Sequence, residues 1–180
     1  TYIDYPPYFR NLADNSAASG TTLTGNRPTN TADGDFLIAV VQVVGSTTTI
    51  TGVPTGWSLL LNNPAPADFA IWTYYKVASS EPASWDWTAS VSGGWRVTVI
   101  GYYGSDTGAH KSSAEQIAAS NSIAVGPITP TVNRSKIITI SSADISTSQS
   151  WTTDGSPLVR LSSYVPVSYT HLTLPTTSRV

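Results

Sequence analysis

"FLIAVVQVV", residues Phe36–Val44, decides the fold. The run is β-branched and almost wholly apolar, too short for a buried helix and too uniform for a half-exposed strand. A strand of this kind is shielded on both faces, or nearly so, and belongs at the centre of a sheet. The Asp-Gly turn "TADGD" (Thr31–Asp35) leads into it. Working outward, further strands are expected at Thr47–Thr51, Ser58–Leu61, Phe69–Val77, Ser84–Val91, Trp95–Tyr103, Ser122–Ile128, Lys136–Ser142 and Leu158–Tyr164. The gaps "GVPTG", "NNPAPAD", "SSEPAS", "SGG" and "GPITP" carry the Gly and Pro of turns. Strands at this spacing without long helical periods give an all-β chain. The expectation is an antiparallel β-sandwich, jelly-roll or Ig-like, of about 8–10 strands, truncated at its C-terminal end.

Period-two alternation assigns the faces. In "SWDWTASV", Trp85 and Trp87 share a side opposite Asp86 and Thr88. In "WRVTVIGYYG", Trp95, Val97 and Val99 oppose Arg96, Thr98, Ile100 and Tyr102. Only Ser92–Gly94 separates the two stretches, so a hairpin bringing Trp85 and Trp87 against Trp95 is expected. "SSAEQIAAS" (Ser112–Ser120) reads as a loop with one helical turn at most. Residues 1–30 read as a linker or irregular first strand, and residues 31–166 as the sandwich.

Composition narrows the function classes. Of 180 residues, 11% are charged against about 25% in ordinary domains. Polarity comes instead from Ser, Thr, Gly and Asn. The net charge is -2 and the basic residues are scattered, which leaves no footprint for nucleic acid. Cysteine is absent, which removes thiol catalysis, disulfides and zinc fingers. No apolar run approaches the roughly 20 residues of a membrane helix. A neutral, hydroxyl-rich, aromatic chain suits an extracellular or virion setting.

Several groups could carry chemistry. A nucleophilic triad would need His110, with Asp106 to orient it, but no nucleophile motif accompanies them. Paired carboxylates for glycoside hydrolysis would have to come from Glu81, Glu115, Asp86 and Asp68, and no catalytic residue is assigned. Calcium would have only Asp33 and Asp35 to bind it. No ligand ladder follows them, so the reading assigns no cofactor. "NRS" (Asn133–Ser135) fits a glycosylation sequon. The six Trp and nine Tyr outnumber the three Phe. Their polar edges suit interfaces and sugar platforms as well as a core. Trp72, Tyr74, Trp85, Trp87, Trp95 and Tyr102 are the candidates for a glycan-stacking surface, with Tyr103 beside them and Trp151 near a turn. Trp57 in its Pro-x-Gly-Trp corner reads as structural.

Read in order, "ADGDFLIAVVQV", "GVPTGWSLLL", "FAIWTYYKVASSEPASWDWT", "VTVIGYYGSDTG" and "SPLVRLSSY" resemble a β-sandwich module of phage tail-associated and bacterial surface proteins. The resemblance covers about residues 32–165 and implies location more than chemistry. Taken together with the residues, the expectation is a non-enzymatic structural or attachment module of a phage tail or bacterial surface protein, with any binding being of a surface glycan through exposed Trp and Tyr. Its partners would be neighbouring domains of the same longer chain, or further copies in a homo-oligomer. The alternatives are an accessory domain of a polysaccharide-degrading enzyme and a purely architectural spacer.

The C-terminal stretch departs from this pattern. Residues 167–177 resemble a translated sequencing adapter: "VSYTHLTLPT" (Val167–Thr176) follows one reading frame of a transposase end, and the flanking codons complete Pro166 and Thr177. The origin this implies is an assembled environmental read cut off near Tyr164–Val165. Residues 167–180 are therefore expected to be a non-native tail, without order or laid on an open sheet edge, and His171 receives no role. The start at Thr1 and the lack of Met lead us to expect a piece of a longer protein.

Overall fold

The computed structural model describes residues 7–45, 47–63, 69–105, 138–143, 158–160 and 169–173. All regular structure among them is β. The chain divides into two compact units, Thr1–Ser135 and Lys136–Val180.

The first unit is an antiparallel β-sandwich. Its eight strands are β1 (Tyr8–Ala17), β2 (Thr22–Asn26), β3 (Phe36–Val44), β4 (Ile50–Gly52), β5 (Ser58–Asn63), β6 (Phe69–Val77), β7 (Ser84–Ala89) and β8 (Trp95–Tyr103). One sheet has the order β1-β8-β3-β6-β5, the other β2-β7-β4. Strand β3 occupies the centre of the larger sheet, paired along its length with β6 and β8. Leu37, Ala39, Val41 and Val43 of β3 join Ala70, Trp72 and Tyr74 of β6 and Trp95, Val97 and Val99 of β8 on the inner face. Leu23 of β2 and Trp85, Trp87 and Ala89 of β7 meet them from the opposite sheet. On the reverse face of β3, Ile38, Val40 and Gln42 are equally buried, as the uniform apolar run requires.

Of the two readings of residues 1–30, the structure takes the irregular first strand: the stretch supplies β1, which pairs with β8 from Tyr8 to Ala17 with a register shift between Phe9 and Asn11, and also β2, which pairs with β7. The polarity of β1 suits an edge strand whose residues are mostly half-buried. The expected hairpin is corrected: Trp87 and Trp95 do not face each other in one, because β7 and β8 lie in different sheets. The Ser92–Gly94 link crosses the sandwich instead. It is held there by Gly93 N–H donating to the Gly20 carbonyl (3.3 Å) and Val44 N–H donating to the Gly94 carbonyl (2.8 Å). The strand expected at Thr47–Thr51 is displaced to Ile50–Gly52.

The second unit contains β9 (Thr139–Ala143), β10 (Leu158–Arg160) and β11 (Tyr169–Thr173), ordered β10-β11-β9 and antiparallel throughout. Part of the stretch that resembles adapter is thus the central strand of this sheet, paired with β10 and with β9. The helical turn and strand considered between Ser112 and Ile128 lie outside the described residues.

Close packing between the sheets is strictest at Gly25. A Cβ there would stand 2.7 Å from Val97 Cγ1 and 2.9 Å from Trp87 Cζ3. Neither neighbour can retreat, since both are fully buried. Gly25→Ala is expected to lower stability by about 1–3 kcal/mol through overpacking. Urea unfolding measures it, and an unchanged midpoint would contradict this packing.

Candidate functional site

The aromatic residues proposed from sequence as a sugar platform are core residues here. Trp72 and Tyr74 point inward from β6, Trp85 and Trp87 from β7, and Trp95 from β8, all buried and Trp87 completely so (0% exposed). Trp57 follows Gly56, whose φ of +86° forms the corner that turns the indole inward. Its ring meets Trp85 edge-on (centroids 5.1 Å, 87°) and Trp87 at a tilt (5.3 Å, 59°), while Tyr74 packs on Trp87 at 5.9 Å. These rings present no open face to a ligand. The reason is geometric: a three-stranded sheet over a five-stranded one leaves a wide inner layer, and large side chains on β7 fill it. Tyr102 belongs to the reverse face, buried, with Phe9 against it edge-on at 6.0 Å. Burial pushes the Tyr74 and Tyr102 phenols up to about 12, because the charged form loses its water.

The carboxylates are engaged by structural partners. Asp35 is buried, pairs with Arg10 (Nη2 to Oδ1, 2.9 Å) and accepts the Ala32 N–H at 2.8 Å. Asp33 accepts the Ser80 N–H at 2.7 Å. The two candidates for calcium thus contact different groups of the fold. Among the described residues no group of three or more His, Asp or Glu is arranged to hold a metal. Glu81, a candidate acid, lies beneath the Trp57 corner. It accepts from Lys76 Nζ (2.7 Å), the Ser79 N–H (2.9 Å) and the Trp85 indole N–H (3.1 Å). Lys76 Nζ lies 5.8 Å from the Trp57 ring centroid and 5.9 Å from that of Trp85. Asp86 faces outward and accepts the Thr24 hydroxyl at 2.6 Å. Asp68, Asp106, His110, Glu115, Asn133 and Trp151 lie outside the described residues.

Sequence reasoning missed two arrangements. On the reverse face of the larger sheet, Arg96 is buried and donates through Nε and Nη2 to the two carboxylate oxygens of Asp14, each at 2.8 Å. Thr98 adds a third bond at 2.7 Å. The signal was an arginine inside an otherwise apolar strand, which demands a carboxylate across the register. The second is an exposed aromatic pair. Tyr8 and Tyr103, register partners on β1 and β8, stack at 5.3 Å and 21°, and remain 40% and 42% exposed. The Arg10 guanidinium lies 4.8 Å from the Tyr103 centroid.

Comparison with known proteins finds no matching family model, curated protein or solved structure.

The Glu81 contacts carry a test. Removing this acceptor strands the Lys76 charge and the Trp85 N–H in a largely dry pocket. Glu81→Ala is expected to cost about 3 kcal/mol, measured by thermal or urea unfolding, and Glu81→Gln less, since it keeps an acceptor. Equal stability of Glu81→Ala and the parent would refute the role given to this carboxylate.

Proposed function

We propose that this sandwich is a non-catalytic structural or attachment module of a phage tail or bacterial surface protein, working outside the cell or on a virion. The observation that carries the reading is how the side chains are used. The described tryptophans fix the two sheets to each other, and Asp14, Asp35 and Glu81 are bound to cations of the framework itself. The oxygens of these carboxylates are taken up by contacts within the fold. A neutral, hydroxyl-rich exterior matches contact with polysaccharide better than with nucleic acid. The location follows from the resemblance of residues 32–165 to modules of such proteins.

The full chain incubated with intact bacterial cells and purified surface polysaccharides tests this. Retention without release of new reducing ends is the expected result. Release of reducing ends would place the chain with the polysaccharide-degrading enzymes, and absence of retention on every surface would reduce it to a spacer.

A further inference from the structure

We infer that the outward face of the small sheet is the surface on which the module holds a neutral, extended polysaccharide. This rests on the attachment reading above and gives it a place on the fold.

Of the two outward sheet faces of the sandwich, the small sheet's is the open one. On the larger sheet, Ile38, Val40, Thr98 and Ile100 are buried although they point away from the rings between the sheets. On the small sheet, alternation sends Leu23, Trp85, Trp87 and Ala89 inward and leaves Thr22, Ser84, Asp86 and Thr88 exposed. Thr51 of β4 is exposed beside them.

The chemistry of this face is unlike that of an ordinary solvated one, where about a quarter of the residues or more carry charge. Within β2, β4 and β7, Asp86 alone is charged, and its Oδ1 accepts the Thr24 hydroxyl at 2.6 Å. The remaining side chains of the face are mostly hydroxyls, which cost less to dehydrate than ions. Threonine, branched at Cβ, holds its hydroxyl in few orientations, so little freedom is lost on contact with a ligand. The Thr51 hydroxyl is fixed further by donating to the Thr88 carbonyl at 3.3 Å.

Register lays these groups out as a ladder. Thr22 lies opposite Thr88 and Thr24 opposite Asp86, while Gly52 brings β4 against the other side of Thr88. Thr22, Thr88 and Thr51 thus form a row across three strands, with neighbouring strands roughly 4.8 Å apart. That step is close to the length of one pyranose unit, so a sugar chain laid across the strands meets one hydroxyl per strand. Charge selects the ligand class. No Lys or Arg stands in these strands to draw an anionic polymer, and Asp86 repels one. The ligand is a neutral polysaccharide held by hydrogen bonds.

The double variant Thr22→Val/Thr88→Val removes two hydroxyls and keeps both the shape of the face and its strand preference. Thr22→Ser/Thr88→Ser keeps the hydroxyls. Thr55→Val, at an exposed threonine in the corner before Trp57, is the control. Each is compared with the unaltered full chain for retention on immobilised neutral and acidic bacterial polysaccharides at low and high salt, with urea midpoints as the check on folding. The Val pair is expected to bind a neutral polysaccharide about tenfold more weakly at an unchanged midpoint, the effect of losing two neutral hydrogen bonds. The Ser pair and Thr55→Val stay close to the parent, whose retention is indifferent to salt. Undiminished retention of the Val pair overturns this site and leaves the attachment reading standing. Retention confined to acidic polysaccharides, or abolished by salt, overturns the neutral ligand. Failure of the parent to bind any member overturns both this site and the attachment reading.

Discussion

The structure depends on one buried ring. Trp87 projects from the middle strand of the small sheet and touches Trp57 and Tyr74, while Gly25 beside it lets the large sheet's Val97 and Val99 close in. A buried Trp removes on the order of 150–250 Å² from water, and truncating one costs about 3–5 kcal/mol. Every other feature of the inner layer is adapted to that volume. Ala70 and Ala89 are small residues among the large rings, and Leu23 enters from β2. The module has no cysteine to staple it, so packing and hydrogen bonds join the two layers.

The few charges work in the same direction. Arg96–Asp14 joins β8 to the edge strand β1. Arg10–Asp35 joins β1 to the turn before β3, and Lys76–Glu81 joins β6 to the turn before β7. Each pair has at least one member largely withdrawn from water, where an isolated charge would be costly. The dehydration penalty limits what such pairs add to stability, but it penalises any arrangement that separates them. They therefore specify which edge β1 takes and how the turns beside β3 and β7 sit. The Trp85 indole N–H on Glu81 connects this polar set to the ring cluster. A chain with so little charge places much of it where it fixes register.

Much of the fold is legible in the sequence. The three strands with the clearest apolar runs, β3, β6 and β8, begin and end where the residues suggest, and the alternation of Trp85 and Trp87 against Asp86 gives β7 its buried side. What alternation does not encode is which sheet a strand joins. "SGG" after β7 would serve a hairpin as well as a crossing, and only the fit of Gly93 against Val44 and Gly20 selects the crossing. Strand β1 was obscured because an edge strand with Asn, Asp and Ser along it looks like a linker until Arg96 claims Asp14. The candidate site was legible in residue type and not in placement. Trp and Tyr look alike at the core and at the surface, and the exposed pair arises from β1, the strand hardest to see.

The central claim is that the indoles are interior. Acrylamide quenching of tryptophan fluorescence, in a Trp151→Phe background so that Trp57, Trp72, Trp85, Trp87 and Trp95 alone report, tests it most directly. The account predicts blue-shifted native emission that acrylamide barely quenches, with a red shift and full quenching only on unfolding. Native emission already at the wavelength of hydrated indole, and freely quenched, would contradict it.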